Sequence, residues 1–346
     1  MSHIEISSDA RGIAKRQLAR KPQRARIANN DALWTALTAA PQTRIIEHTM
    51  NIAAINMDAF AWLRSVPDNS IHGVVTDPPY GLIEYEEKDH AKLKKGKGGV
   101  WRIPPSFDGS KRSPVPRFTV ITTADRKRLS KFFATLAKLL NAKLVPGGHL
   151  LMASNPLLSS VAFSAVESAG LEKRGEVIRL VQTLRGGDRP KGFEQEFRDI
   201  TVMPRSCWEP WGLFRKPLSE KTVAANLRKW GAGALRRVSD EEPFRDVISS
   251  APTRKEERAL APHPSLKPQR FMRQAVRAIL PLDVGVVYDP FMGGGSTLAA
   301  AASLGYRAIG TELDKGYFEI ATSAIPRLTA LNVERERNNG DTSRNT

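Results

Sequence analysis

The sequence predicts an α/β protein: a doubly wound, mostly parallel sheet with helices on both faces. Two observations carry that expectation. Short apolar runs rich in β-branched residues alternate with amphipathic stretches along most of the 346 residues, as buried parallel strands alternate with crossover helices. Near the C-terminus one such run opens through three glycines into an Ala-rich helix, VVYDPFMGGGSTLAAAA. That is the strand, glycine turn and helix of a ligand-binding unit.

The elements follow in order. Residues 1–45 read as an arm bearing Arg11, Arg16, Arg20, Arg24 and Arg26, then a short helix, NDALWTALTAA. Residues 46–216 form the first half of the main domain. TRIIEHTMNIAAINMDAF gives strand, turn and helix, and HGVVTDPPY a buried strand with its exit loop. Pro78 and Pro79 end that strand, since neither has an N–H to donate. Asp77 and Tyr80 therefore arrive on a rigid turn at one edge of the sheet. The stretch 84–118, rich in Lys, Gly and Pro and without apolar period, reads as a long mobile basic loop. DRKRLSKFFATLAKLLNAKLVPGG is a helix stopped at Pro146-Gly147-Gly148. HLLMASN is a strand, PLLSSVAFSAVESAG a helix stopped by Gly170, and GEVIRLVQTL a strand. RDITVMPR and WEPWGLFRKP read as a closing pair of strands, with Trp208, Trp211 and Trp230 as core residues. Residues 217–262 break the alternation. Residues 263–330 supply a last α/β unit, running from QRFMRQAVRAIL through the glycine turn and RAIGTELD to KGYFEIATSAIPRLTAL. Residues 331–346 are a polar tail.

Composition narrows the function. The chain carries 53 Lys and Arg against 36 Asp and Glu, a formal charge of +17, which points to a polyanionic partner, most simply nucleic acid. Cys207 is the single cysteine, and the six histidines have no paired spacing, so a disulfide framework, a thiolate cluster and a resident metal are not expected. No apolar run reaches the ~20 residues of a membrane span, and the N-terminus lacks the apolar core of a signal peptide. A cytoplasmic location is expected.

The glycine turn discriminates among nucleotide-like ligands. A Walker A loop needs Gly-Lys-Ser/Thr, and no lysine stands here. The dinucleotide fingerprint needs a third glycine where the chain has Leu298. S-adenosylmethionine, which brings a carboxylate but no phosphate, is the remaining candidate. Glu312 ends the next strand, where an acid accepts hydrogen bonds from ribose hydroxyls.

Four segments in sequence then carry a resemblance: DPPY (Asp77–Tyr80), HPSLKP (His263–Pro268), DPFMGGGST (Asp289–Thr297) and GTELDKGYFEIA (Gly310–Ala321). They resemble the motifs of amino-group DNA methyltransferases, which act on adenine N6 or cytosine N4. The order, catalytic tetrad first and cofactor loop last, is similar to the β-class arrangement. The resemblance spans roughly residues 45–330 outside the two irregular segments. It implies a Rossmann-like fold in permuted motif order, with S-adenosylmethionine as cofactor. It implies that Asp77 and the carbonyl of Pro78 accept hydrogen bonds from the target amine on the turn that Pro79 completes. Tyr80 would stack on a base swung out of the duplex. Around the cofactor it implies Asp58 on the adenine amine and Phe291 on the adenosyl group. Ser265 and Lys267 would lie beside the methionine moiety. Asp289, Gly293, Gly295, Ser296 and Thr297 form the glycine turn, and Glu312 holds the ribose. For Asp58 the other role open to it is a helix N-cap.

The implied partner is double-stranded DNA. Lys94, Lys95, Lys97, Arg102, Lys111 and Arg112 of the loop, and the segment 217–262, are candidates for its contacts, mostly with phosphates. The resemblance also admits a homodimer and a cognate restriction enzyme as partners. An opening Asp rather than Ser in the tetrad favours adenine N6. The alternatives are cytosine N4, then an RNA or protein-amide substrate, then a DNA-binding protein without activity.

Overall fold

The computed structural model describes residues 31–46, 51–79, 123–181 and 187–333. The Arg-rich arm, Tyr80, the loop 84–118 with its six basic candidates, and residues 334–346 lie outside them. In chain order α1 (Asp31–Leu37), β1 (Thr43–Ile45), β2 (Ile52–Asn56), α2 (Ala59–Ser65) and β3 (Ile71–Thr76) come first. Then come α3 (Thr123–Lys143), β4 (Leu144–Ala153), α4 (Ser159–Ser168), β5 (Glu172–Leu180) and β6 (Trp208–Arg215). The segment 217–262 holds α5 (Val223–Trp230), β7 (Val247–Ser249) and α6 (Lys255–Leu260). Last are α7 (Gln269–Ile279), β8 (Val286–Asp289), α8 (Ser296–Ser303), β9 (Arg307–Glu312) and α9 (Lys315–Thr329).

The strands form one nine-stranded sheet in the order β1-β2-β9-β8-β3-β4-β6-β5-β7. The run from β2 to β4 is parallel throughout, and β7 lies parallel to β5. β1 and β6 pair antiparallel with their neighbours. The sheet is thus α/β and mostly parallel, as the sequence predicts. Successive side chains of a strand face opposite ways, and β3 divides accordingly. Val75 joins a core with Phe271, Ile279, Leu298 and Ile325 on one face. Val74 joins Trp62, Phe133, Leu140 and Phe163 on the other. No helix among the described residues is long and apolar enough to cross a membrane.

Three local expectations need correction. RDITVMPR forms no strand, and its Ile200 and Val202 are exposed. Both edges of β6 are already taken by β4 and β5, so a further partner has no place. The helix before HLLMASN ends at Lys143, and β4 starts at once, carrying Pro146-Gly147-Gly148 inside it. There Gly147 has φ +82°, its N–H donates to the Lys216 carbonyl, and the Lys216 N–H returns to Gly148 O. The bend stays hydrogen-bonded to its neighbour. Of the tryptophans, Trp211 is fully buried, but Trp208 is exposed at the start of β6 and Trp230 is half-buried.

Candidate active site

Chain connections run away from each other on either side of the β8–β3 pair. β8 leads through α8 to β9 on one side, and β3 through α3 to β4 on the other. Such a switch point opens a crevice at the C-terminal ends of the strands. Asp77, Pro78 and Pro79 leave β3 into that crevice, and Asp289 and the glycine turn leave β8 beside them. Thr76 joins the two exits by donating its hydroxyl to Asp289 Oδ1 at 2.8 Å.

Asp289 fastens the turn from inside. Its Oδ1 also accepts the Phe291 N–H at 3.1 Å, and Oδ2 accepts the Thr297 hydroxyl at 2.6 Å. Burial raises its pKa from 3.8 to about 6, against these hydrogen bonds and with the help of the nearby Asp77 charge. Gly295 turns the chain into α8 with φ +83°, where a Cβ would sit 2.6 Å from Ile325 Cγ1. Only glycine meets both conditions.

Glu312 closes the crevice on the β9 side. Its Oε2 accepts the Gly293 N–H at 3.0 Å and its Oε1 the Asp314 N–H at 2.9 Å. Burial pushes its carboxyl up, partly offset by those two donors. Phe291 is half-buried, 6.0 Å from the Phe132 ring. Asp58 caps α2, accepting the Ala61 N–H at 2.8 Å through Oδ1. The donors and acceptors suit a ligand with vicinal hydroxyls and an apolar ring better than a phosphate, since two carboxylates, Asp289 and Glu312, stand at the turn and the nearby Lys267 ammonium is already paired with Asp77 and Glu209.

The HPSLKP segment divides. Ser265 is exposed, with its N–H on His263 Nδ1 at 3.2 Å. Lys267 is buried, and its N–H reaches Ser296 Oγ at 3.2 Å. Its ammonium lies 2.5 Å from Asp77 Oδ2 and 3.1 Å from Glu209 Oε1. Glu209 Oε2 in turn accepts from Arg179 Nη1 at 3.0 Å and from Trp211 Nε1 at 3.1 Å. Arg179 is anchored by Ser250 Oγ and the Ala251 carbonyl, with its guanidinium 5.4 Å from the Phe271 ring centre. Burial would lower the Lys267 pKa, but Asp77 and Glu209 together raise it. Burial would raise that of Glu209, and Lys267 and Arg179 overcome it. Sequence reasoning missed Glu209 and Arg179. The one signal was a pair of opposite charges inside two apolar runs, and it becomes readable only once β5 and β6 are known to pair with these residues opposite each other.

Comparison with known proteins gives a family. Residues 71–323 match the sequence model of the N6 and N4 amino-methyltransferases, described as DNA methylase. The Type II methyltransferase M.HindIII of Haemophilus influenzae is 24% identical over 294 residues, 78% of this chain and 94% of that protein. M2.DpnII of Streptococcus pneumoniae is 31% identical over 91 residues, 26% of this chain and 34% of that one. Among solved structures, a DNA modification methylase of Thermus thermophilus, TTHA0409, in complex with S-adenosyl-L-methionine, superposes with a TM-score of 0.52 at 20% identity. That match covers 81% of this chain and 94% of the other. The cytosine-N4-specific PvuII DNA methyltransferase gives 0.51 at 14% identity, over 82% and 88%. At such identities the likeness is one of fold.

Proposed function

Given that this chain belongs to the DNA methylase family of N6 and N4 amino-methyltransferases, we propose that it methylates adenine N6 at a specific site in duplex DNA. S-adenosylmethionine is the donor in this reading. The observation that carries it is the meeting of two exits at the β8–β3 pair, an Asp-Pro-Pro turn on one and the glycine turn faced by Glu312 on the other.

The cofactor supplies a sulfonium methyl group as electrophile. Glu312 would accept from the ribose hydroxyls, Phe291 would pack against the adenosyl ring, and Asp58 would take the adenine amine on the carboxylate oxygen that does not cap α2. Ser265 serves the methionine moiety. The exocyclic amine of a base is a poor nucleophile, because its lone pair is delocalised into the ring. Asp77 and the Pro78 carbonyl accept its two N–H groups and favour a pyramidal nitrogen with a localised lone pair. Holding that nitrogen in line with the methyl group supplies much of the rate. As the N–C bond forms and the S–C bond breaks, the nitrogen becomes cationic. Asp77 then receives its proton and passes it to water.

The Asp that opens the tetrad supports adenine over cytosine. The relatives named as Type II methyltransferases motivate a cognate restriction enzyme as partner. Expression in a methylation-free host, followed by modification-sensitive sequencing, tests the reading. N6-methyladenine at one recurring sequence is expected, lost in Asp77→Ala while that variant keeps its affinity for the cofactor. N4-methylcytosine would move the assignment to cytosine. Unmodified DNA from folded protein that binds S-adenosylmethionine, or full methylation by Asp77→Ala, would overturn the catalytic centre.

A further inference from the structure

Asp77 stands at the outer end of a row of four side chains of alternating charge: Asp77, Lys267, Glu209 and Arg179. None is more than 16% exposed. From this geometry we propose that Lys267, clamped by Glu209 and Arg179, is a positioning residue for methyl transfer. Its ammonium keeps Asp77 ionised and fixes the direction in which the carboxylate meets the target amine. The inference rests on the reading of Asp77 as the acceptor of that amine.

The need for such a device follows from the reaction. When a base covers the crevice, Asp77 loses water, and desolvation favours the protonated acid. The buried Asp289 nearby works in the same direction, since the two carboxylates repel each other's charge. A protonated Asp77 would present a donor to an amine that needs an acceptor. An ammonium at hydrogen-bond distance opposes both effects. It occupies only part of the lone-pair capacity of a carboxylate, which offers about four acceptor positions. Once methylated, the nitrogen is a strong acid, so a lysine-paired carboxylate still suffices to take its proton.

Lys267 must itself stay charged and still. Burial alone would discharge it, and Glu209 is the second carboxylate that holds the proton on. Arg179 balances Glu209 from the far side, so the four charges sum to zero and the row is tolerable away from water. Trp211 Nε1–H on Glu209 and the Phe271 ring under Arg179 leave the row little freedom to turn. Among the described residues His263 also faces Lys267, and burial lowers its pKa to about 4. It is neutral across the pH range of interest. The Lys267 N–H on Ser296 Oγ ties the row to the first residue of α8. Lys267 thereby bridges the target-facing turn and the cofactor-facing turn, beyond the cofactor-side role that the family resemblance implies for it.

The test is the pH dependence of single-turnover methyl transfer, at saturating DNA and cofactor, in the wild type, Lys267→Met and Glu209→Gln. Cofactor affinity and melting temperature are measured alongside. Removing the ammonium is expected to move the acidic limb of the rate profile up by about 1–3 pH units. Rate should recover at high pH, with cofactor affinity near that of the wild type. Glu209→Gln removes a charge of the opposite sign, so its limb should stay in place or move down. Should Lys267→Met fail to fold, Lys267→Gln carries the same expectation. A slower enzyme with an unmoved limb would overturn the proposal and leave Lys267 a structural residue. Weakened cofactor binding with an unmoved limb would return it to the cofactor. Limbs moving the same way in both variants would indicate simple loosening, which also overturns it. Failure of the underlying reading shows separately, as methylation by Asp77→Ala.

Discussion

Asp289→Asn tests how the centre of the crevice is held. Asp289 is 3% exposed, and burial carries its pKa from 3.8 to about 6. Between those values the folded protein binds a proton that the unfolded chain has released. Stability therefore falls as pH rises through that window and levels off above it. At about 1.4 kcal/mol per unit, the rise from 3.8 to about 6 makes a loss of about 3 kcal/mol. Asparagine removes the charge while keeping the contacts. Its oxygen can accept from Thr76 and Phe291 as Asp289 Oδ1 does. Its amide can donate to Thr297, whose hydroxyl already lies 3.4 Å from the Val75 carbonyl and can turn its proton there. The assay is urea unfolding of both proteins from about pH 4 to about pH 8, read as the difference in unfolding free energy. Taking the difference cancels groups such as Glu209, whose lowered pKa gives stability that is lost as pH falls. The difference should move in favour of Asp289→Asn by about 3 kcal/mol up to about pH 6, then stay flat. A difference that does not change with pH would refute the reasoning, because it would mean that Asp289 titrates alike in both states.

Three further outcomes are expected. Glu312→Ala should weaken S-adenosylmethionine binding by about 1–3 kcal/mol, the scale for lost hydrogen bonds to a charged acceptor; an unchanged titration would leave Glu312 as a brace for the Gly293 and Asp314 N–H groups. Gly295→Ala should cost about 1–3 kcal/mol of stability in denaturant unfolding, since it brings both a positive φ and a clash with Ile325; equal midpoints would show that the turn relaxes. Neutralising Lys94, Lys95 and Lys97 together should weaken specific and nonspecific duplexes alike and flatten the slope of log affinity against log salt by about 0.9 for each phosphate no longer neutralised. In that variant a new methylated sequence would show that the loop reads bases, and an unchanged slope that these lysines never meet DNA.

The parallel centre of the fold was legible because its residues advertise it. HGVVT, VVYD and RAIGTE are short apolar runs with nowhere to sit but between helices, and they became β3, β8 and β9. The glycine turn was legible for the same reason, since its backbone demands exclude other residues. The antiparallel side was harder. RDITVMPR has strand composition, yet pairing depends on which edges are vacant, and no local pattern records that. Glu209 and Arg179 were hidden by strand alternation itself. A charged residue between apolar ones reads as the solvent face, and only the register of β5 against β6 turns the two inward toward each other. Lys267 was visible as part of HPSLKP, but the direction of its side chain was set by Asp77 and Glu209, 190 residues away in one case.

The pairing of early strands with late ones has a consequence for synthesis. β2 and β3 leave the ribosome long before β9 and β8, the strands that complete their hydrogen bonding. At about 5–20 residues per second, the roughly 210 to 250 residues between them amount to about 10–50 s in which one apolar edge of each strand stands unpaired. Pairings of such sequence separation also form slowly, because loop closure precedes any gain from them. The nascent chain is therefore most open to aggregation before β8 emerges, and until then the crevice lacks its β8 side. The crevice between β3 and β8 forms only when the last quarter of the chain has joined the first.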